Sequence, residues 1–191
     1  MDDSIARIPN TDALLREIAR LREEVAQLQE RVERLDVLAH QDTLIDLPNR
    51  RGFMRDLEKV IDRVRRYHDS GAMLFIDLDG LKLINDSFGH KAGDEALIQV
   101  ARLLVGGVRR SDCVARIGGD EFAILLERAD EASAQETANR LADAIADCDF
   151  MHDGDSLPLS VAIGVAMIGP DDDAESIMAR ADEEMYKRKA A

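Results

Sequence analysis

Positive charge is in short supply in this chain. Lys+Arg 25 stand against Asp+Glu 39, giving a formal charge of −14 and a pI near 4.7. Affinity for nucleic acid and for anionic lipid headgroups rests on Lys and Arg, so no nucleic-acid partner and no membrane partner is expected. Cysteine is nearly absent as well. Cys113 and Cys148 are the only two, and their separation suits neither a zinc site nor a disulfide framework, so both read as buried thiols. Long apolar runs are missing: the longest, around Leu157 to Ile168, falls well short of the roughly 20 residues a membrane helix requires. The opening Met1-Asp2-Asp3 carries no basic region followed by an apolar stretch, so no secretory leader is expected and the expected compartment is the cytoplasm. Internal repeats and low-complexity tracts are also lacking. His40, His68, His90 and His152 are scattered, and no Ser/His/Asp or Cys/His arrangement can be inferred from them.

The material that is present bounds the answer from the other side. Of the 191 residues, 46% are hydrophobic and 34% charged, enough apolar content for a core, which excludes disordered and collagen-like classes. The length fits one domain plus an appendage. A substrate that is itself an anion would need imported positive charge, and a divalent cation is the usual source.

The appendage occupies residues 1–40. From Leu14 the apolar positions step alternately by four and three through Ile18, Leu21, Val25, Leu28, Val32 and Leu35. Leucine takes every d position and a β-branched residue every a position, the combination that favours two parallel strands. Between chains, Glu17 meets Arg22 and Arg31 meets Asp36 at g and e, while Glu24 with Gln29 is neutral. An amphipathic helix lying on its own domain is the alternative, but it usually carries a wider apolar face. At about three heptads the coil gains stability from its globular domains, and the reading is a homodimer held in register.

Residues 41–191 alternate helix and strand patterns. Phe53, Leu57, Val60, Ile61 and Val64 recur at helical spacing within 49–67. Residues 72–79, AMLFIDLD, form a short apolar run ending in acids, as a buried strand opening onto a site would. A polar connection with Asn85, Gly89 and His90 leads to a helix over 93–105. DCVARI and FAILL flank Gly118-Gly119-Asp120-Glu121 as a hairpin. A helix over 131–146, a strand over 159–167 and a helix over 174–189 complete the pattern. The expectation is an α/β fold with a central mixed sheet flanked by helices, not a purely parallel one, because the hairpin makes one pairing antiparallel.

Asp77 and Asp79 end one strand, and Asp120 and Glu121 sit at the hairpin. If the two lie side by side, Asp77 and Asp120 are neighbours whose repulsion is tolerable only with a cation between them. That describes a Mg²⁺ or Mn²⁺ site, with glycines letting the backbone approach a phosphate. Phosphoryl or nucleotidyl transfer is the matching reaction class. Ordinary turn chemistry is the competing reading of the same residues.

The run RIGGDEFAILL (116–126) resembles the signature of the GGDEF family of diguanylate cyclases, and the resemblance extends over LIDLPNRRGF, FIDLDGLKLINDSFGHKAGDEAL, RRSDCVARIGGDEF, LSVAIGVA and ADEEMYKRK. It implies a nucleotidyl-cyclase-like domain that condenses two GTP into cyclic di-3′,5′-GMP and releases two pyrophosphates, each domain of a dimer supplying one half-site. By that resemblance Asp77, Asp120 and the carbonyl of Leu78 hold Mg²⁺ or Mn²⁺, and Asp120 or Glu121 takes the proton of the attacking hydroxyl. Lys82 steadies charge on the phosphate, and Gly118, Gly119 and Lys189 lie along the triphosphate. Asn85 and Asp94 read guanine with His90 beside them, a carboxylate accepting from donors that adenine does not pair in the same way. Arg109-Arg110-Ser111-Asp112 matches the family's RxxD inhibitory motif, and with Arg140 it implies feedback by bound cyclic di-GMP; an ordinary surface Arg/Asp pair is the alternative. A catalytically silent domain acting as a cyclic di-GMP receptor is the alternative function. Three departures stand out. Ile45 and Asp46 occupy places where the family commonly has Thr and Gly, Gly80-Leu81 replaces a frequent Phe, and the sequence given stops at Ala191, ahead of the family's GRN segment with its phosphate-binding arginine, so that either the chain is truncated or Lys189 must suffice.

Overall fold

The computed structural model describes residues 11–189 of the chain. Two compact units divide between Ala39 and His40. The first holds all but the last residue of α1 (Thr11–His40), one unbroken helix. Its exposed surface carries intrahelical pairs such as Arg20 with Glu17 at 2.8 Å and Arg34 with Glu30 at 3.0 Å. All seven heptad residues from Leu14 to Leu35 are 46–64% exposed, an apolar stripe that α1 by itself leaves uncovered.

The second unit contains α2 (Arg50–Tyr67), β1 (Gly71–Leu78), α3 (Leu81–Phe88), α4 (His90–Gly106), β2 (Cys113–Arg116), β3 (Glu121–Glu127), α5 (Glu131–Ala146), β4 (Met151–His152), β5 (Asp155–Ser156), β6 (Val161–Met167) and α6 (Ala174–Lys189). Helix starts follow local chemistry. Asn49 caps α2 by accepting from the backbone N–H groups of Arg51 at 2.9 Å and Gly52 at 3.1 Å, and Asp130 with Ser133 forms a capping box on α5. Among the described residues no helix is long and apolar enough to cross a membrane.

The main sheet runs β2-β3-β1-β6, and all three of its pairings are antiparallel. This differs from the mixed sheet expected from sequence. The helical crossovers do join strands that run the same way, β1 to β2 and β3 to β6. Each crossover skips one position, however, and a strand of opposite direction fills the gap. The result is the split βαβ arrangement, with the acid-tipped β1 between two neighbours.

Strand alternation sorts the side chains into two cores. Ala72, Leu74, Ile76 and Leu78 of β1 join Phe122, Ile124 and Leu126 of β3 under α3, α4 and α5. Met73 and Phe75 join Ala123 and Leu125 under α2 and α6. The period of two then puts Asp77 and Glu121 on the α2/α6 side. On β6 the residues facing α6 are Ala162, Gly164 and Ala166, and the approach is close. A Cβ on Gly164 would lie 2.1 Å from the Ala181 carbonyl oxygen and 2.2 Å from the Met185 amide nitrogen. This contact sets the height of α6 over the sheet and carries its last turn to the strand ends.

Three elements, α3, β4 and β5, were not legible in the sequence pattern. Residues 81–88 are helical rather than a polar connection, with α4 beginning at His90 instead of Gly93, and β4 and β5 form a separate small hairpin. The thiols are only partly buried. Burial, aided by the charge of Asp56, still pushes Cys113 up to about 11.

Candidate active site

Three groups of residues stand apart in the fold. The first lies at the end of β1 and β3. In the sheet register Asp77 is directly opposite Glu121, and the Leu78 N–H donates to the Asp120 carbonyl at 2.9 Å. The strand end thus brings Asp77, Leu78, Asp120 and Glu121 together, with Glu121 inside β3 rather than at the hairpin tip. Asp79 is held just beyond by Ser160, whose hydroxyl donates to Oδ2 at 2.9 Å and whose carbonyl accepts the Asp79 N–H at 2.9 Å.

Lys189, from the last turn of α6, donates its ammonium to Asp77 Oδ1 and lies 3.8 Å from Asp79 Oδ1. That hydrogen bond raises the Lys189 ammonium above its ordinary value; burial opposes it, and the charges of Asp77, Asp79 and Asp120 add to it. The Glu121 carboxyl is pushed above its ordinary value, chiefly by burial and then by the charges of Asp120, Asp77 and Asp182, with Arg50 pulling the other way.

The two glycines of the turn do different things. A Cβ on Gly118 would lie 2.1 Å from Glu121 Oε2, so its bareness makes room for that carboxylate, whereas Gly119 faces open space. Arg116 steadies the turn: Nη2 donates to the Gly119 carbonyl at 2.8 Å, and Nη1 donates to Asp42 Oδ1 at 3.2 Å in a mostly buried pair. Sequence reasoning passed over Arg116, Ser160 and Asp182, whose signals were a lone basic residue before the glycines and small polar or acidic residues far away in the chain.

Among the described residues no three His, Cys, Asp or Glu side chains form a ready metal-holding group. The donor set is nevertheless of the kind a hard cation uses, since Mg²⁺ is usually held through one or two carboxylates with substrate phosphates completing its shell. The ammonium of Lys189, lodged on Asp77 and near Asp79, offsets part of their charge.

The second group lies at the junction of α3 and α4. Asn85 is half-buried, and Oδ1 fills the space where a Cβ on Gly93 would stand, 2.2 Å away. Asp94 follows at once and is exposed, as are His90 and Lys82. Gly93 is a further residue that the sequence reading used only as a helix start. The third group borders a cavity of about 250 Å³ lined by Arg109, Asp112, Ser133, Thr137 and Arg140 among others. Asp112 accepts from the backbone N–H groups of Arg109 at 2.9 Å and Glu127 at 3.2 Å, which fixes the turn that presents Arg109.

Comparison with known proteins gives this geometry a family. Residues 39–191 match the family described as diguanylate cyclase, GGDEF domain, and the chain belongs to it. It is 38% identical over 169 residues to the diguanylate cyclase TpbB of Pseudomonas aeruginosa, covering 86% of this chain and 39% of that protein. It is 34% identical over 168 residues to the probable diguanylate cyclase DgcE of Escherichia coli, covering 87% of this chain and 15% of that one. The chain therefore spans well under half the length of these curated relatives. Among solved structures, the coiled coil and GGDEF domain of DgcB from Caulobacter crescentus, in complex with c-di-GMP, superimposes with a TM-score of 0.86 at 25% identity, over 93% of this chain and 95% of that one. A sensory box/GGDEF family protein from the same organism matches with a TM-score of 0.73 at 38% identity, over 79% and 98%.

Proposed function

We propose that this chain is a diguanylate cyclase that condenses two GTP into cyclic di-3′,5′-GMP and two pyrophosphates as a coiled-coil dimer. The observation that carries the reading is the register that sets Asp77 opposite Glu121, with Asp120 alongside and a cation already drawn to the group. A catalytically silent receptor would have no use for that cluster.

Each side chain has a distinct task. Asp77, Asp120 and the Leu78 carbonyl would hold Mg²⁺ or Mn²⁺, which when bound neutralises phosphate charge and acidifies the attacking 3′-hydroxyl. Glu121 accepts the proton of that hydroxyl; its upward shift brings it nearer the range useful to a base. Gly119 leaves the turn bare for the triphosphate, while Gly118 leaves room for the Glu121 carboxylate. Lys82 and Lys189 offset the charge that develops on phosphate during transfer. Asn85 and Asp94 read the Watson–Crick edge of guanine, and a site built to pair those donors discriminates strongly against a base lacking them. His90 lies at the rim of the same helix start.

Every GTP attacks the α-phosphate of the other, so two domains must face each other, and the uncovered heptad stripe of α1 supplies the means of pairing. Cyclic di-GMP bound at Arg109 and Arg140 would then inhibit the enzyme. Asp112 keeps lone pairs free for guanine beyond the two backbone bonds it accepts.

The test is incubation of the purified chain with GTP and Mg²⁺, with products followed by chromatography. Wild type should form cyclic di-GMP and Asp120→Ala should form none while remaining dimeric, because it loses a metal ligand and no core contact. Turnover retained by that variant would refute the assignment. Arg109→Ala should escape inhibition by added product, and equal inhibition of both proteins would remove the feedback site.

A further inference from the structure

The ion pair between α6 and β1 has a use beyond holding the domain together. The ammonium of Lys189 contacts Asp77 and stands 3.8 Å from Asp79, on the very carboxylate that the proposed function gives to the divalent ion. A divalent ion set on the same carboxylate would stand within a few ångströms of the ammonium, where positive charges repel, so the two compete for Asp77. One partner is fixed and the other is not. Asp77 is 13% exposed and sits in a strand paired on both sides, whereas Lys189 is 42% exposed on a flexible four-carbon stem in the final turn of its helix. The lysine can swing out and the aspartate cannot.

We propose that Lys189 is an internal counter-cation that occupies the metal's place in the nucleotide-free domain and leaves it when a triphosphate arrives, so that metal and GTP load together. The inference rests on the metal-dependent reading above and deepens it. Without nucleotide, the metal must displace an ammonium that the carboxylates hold well. With nucleotide, the triphosphate offers that ammonium a stronger anionic partner and adds oxygen ligands for the metal. The lysine thus makes the two affinities interdependent, and by linkage the dependence is mutual. It also keeps Asp77, Asp79, Asp120 and Glu121 from repelling one another while the site waits.

The test titrates the full chain with MnCl₂ in the absence of nucleotide, reading free Mn²⁺ by electron paramagnetic resonance. Lys189→Met keeps the stem and removes the charge. It should bind Mn²⁺ about tenfold more tightly than wild type, within the usual range of coupling between sites, and adding Asp77→Asn should abolish the gain. A non-hydrolysable GTP analogue should then tighten Mn²⁺ binding in wild type by a larger factor than in Lys189→Met. Equal or weaker Mn²⁺ binding by Lys189→Met, with a native circular dichroism spectrum, overturns the proposal. If wild type nonetheless forms cyclic di-GMP from GTP, the catalytic reading survives and only this inference falls. Mn²⁺ binding by neither protein, with or without the analogue, overturns both.

Discussion

Replacing Gly93 by alanine separates stability from recognition at a single position. The new methyl would lie 2.2 Å from Asn85 Oδ1 and 2.9 Å from its Cγ, and its nearest neighbours outside α4's own backbone all belong to Asn85. The obstacle is the far end of a flexible side chain, so Asn85 turns away and the backbone stays. Within α4, exchanging Gly for Ala is worth up to about 1 kcal/mol of helix propensity, which raises Tm by roughly 2–4 °C in a domain of this size. Under the proposed reading, the displaced carboxamide would no longer meet guanine. Loss of such hydrogen bonds costs about 1–3 kcal/mol, a decrease of about 5- to 150-fold in kcat/KM, appearing mainly as a higher KM for GTP. The assay is initial-rate cyclic di-GMP formation against GTP concentration, beside a thermal melt of the same preparation. A Tm lowered by several degrees with GTP kinetics unchanged would refute the placing of Asn85 in recognition and make Gly93 a packing residue.

The remaining predictions probe other parts of the fold. Gly164→Ala, by contrast, drives a methyl into backbone atoms of Ala181 and Met185, which cannot rotate aside; overpacking of this kind costs about 1–3 kcal/mol or more, and urea unfolding should show the midpoint falling accordingly. Glu121→Gln should raise the Tm of the metal-free protein at neutral pH while removing turnover. The sign follows from the raised carboxyl: its ionised form is disfavoured in the fold, so wild type regains stability as pH falls through the raised folded value toward the ordinary one, and the two melting curves should converge in acid. Changing Leu21 and Leu28 together to Gln interrupts the exposed α1 stripe and should cost activity mainly at low protein concentration; specific activity independent of concentration would show that the coil is not the assembly device.

The sequence was most informative where periodicity was strong or a motif was dense. The apolar steps of 14–35, the helix at 49–67 and the acid-ended strand at 72–79 all correspond to observed elements, because burial on one face imposes a period that the residues then display. The convergence of Asp77 with Asp120 and Glu121 was legible only on the condition that the hairpin adjoined β1, and the register meets that condition. Strand order was beyond reach. Nothing in a crossover sequence tells whether it lands on the next position or skips one, so the mixed sheet became an antiparallel one. The α3 segment was missed because Asn85, Asp86 and Ser87 are turn-type residues, and only Ile84 of its side chains is buried. Arg116 with Asp42 and Gly93 with Asn85 are relations between distant or overlooked positions, and no local pattern announces them.

The order of the sheet also governs how this domain is made. The central strand β1 leaves the ribosome before either of its neighbours, since β3 and then β6 come later in the chain. During that interval a strand apolar but for Asp77 has both edges bare, the condition in which nascent chains aggregate or recruit chaperones. The carboxylates at its tip acquire their counter-charge last of all, from the final turn of α6. A nascent chain halted before α6 would therefore hold the signature motif complete while lacking the ammonium that settles its charges, so the motif's charge balance is set by a helix made after every strand of the sheet.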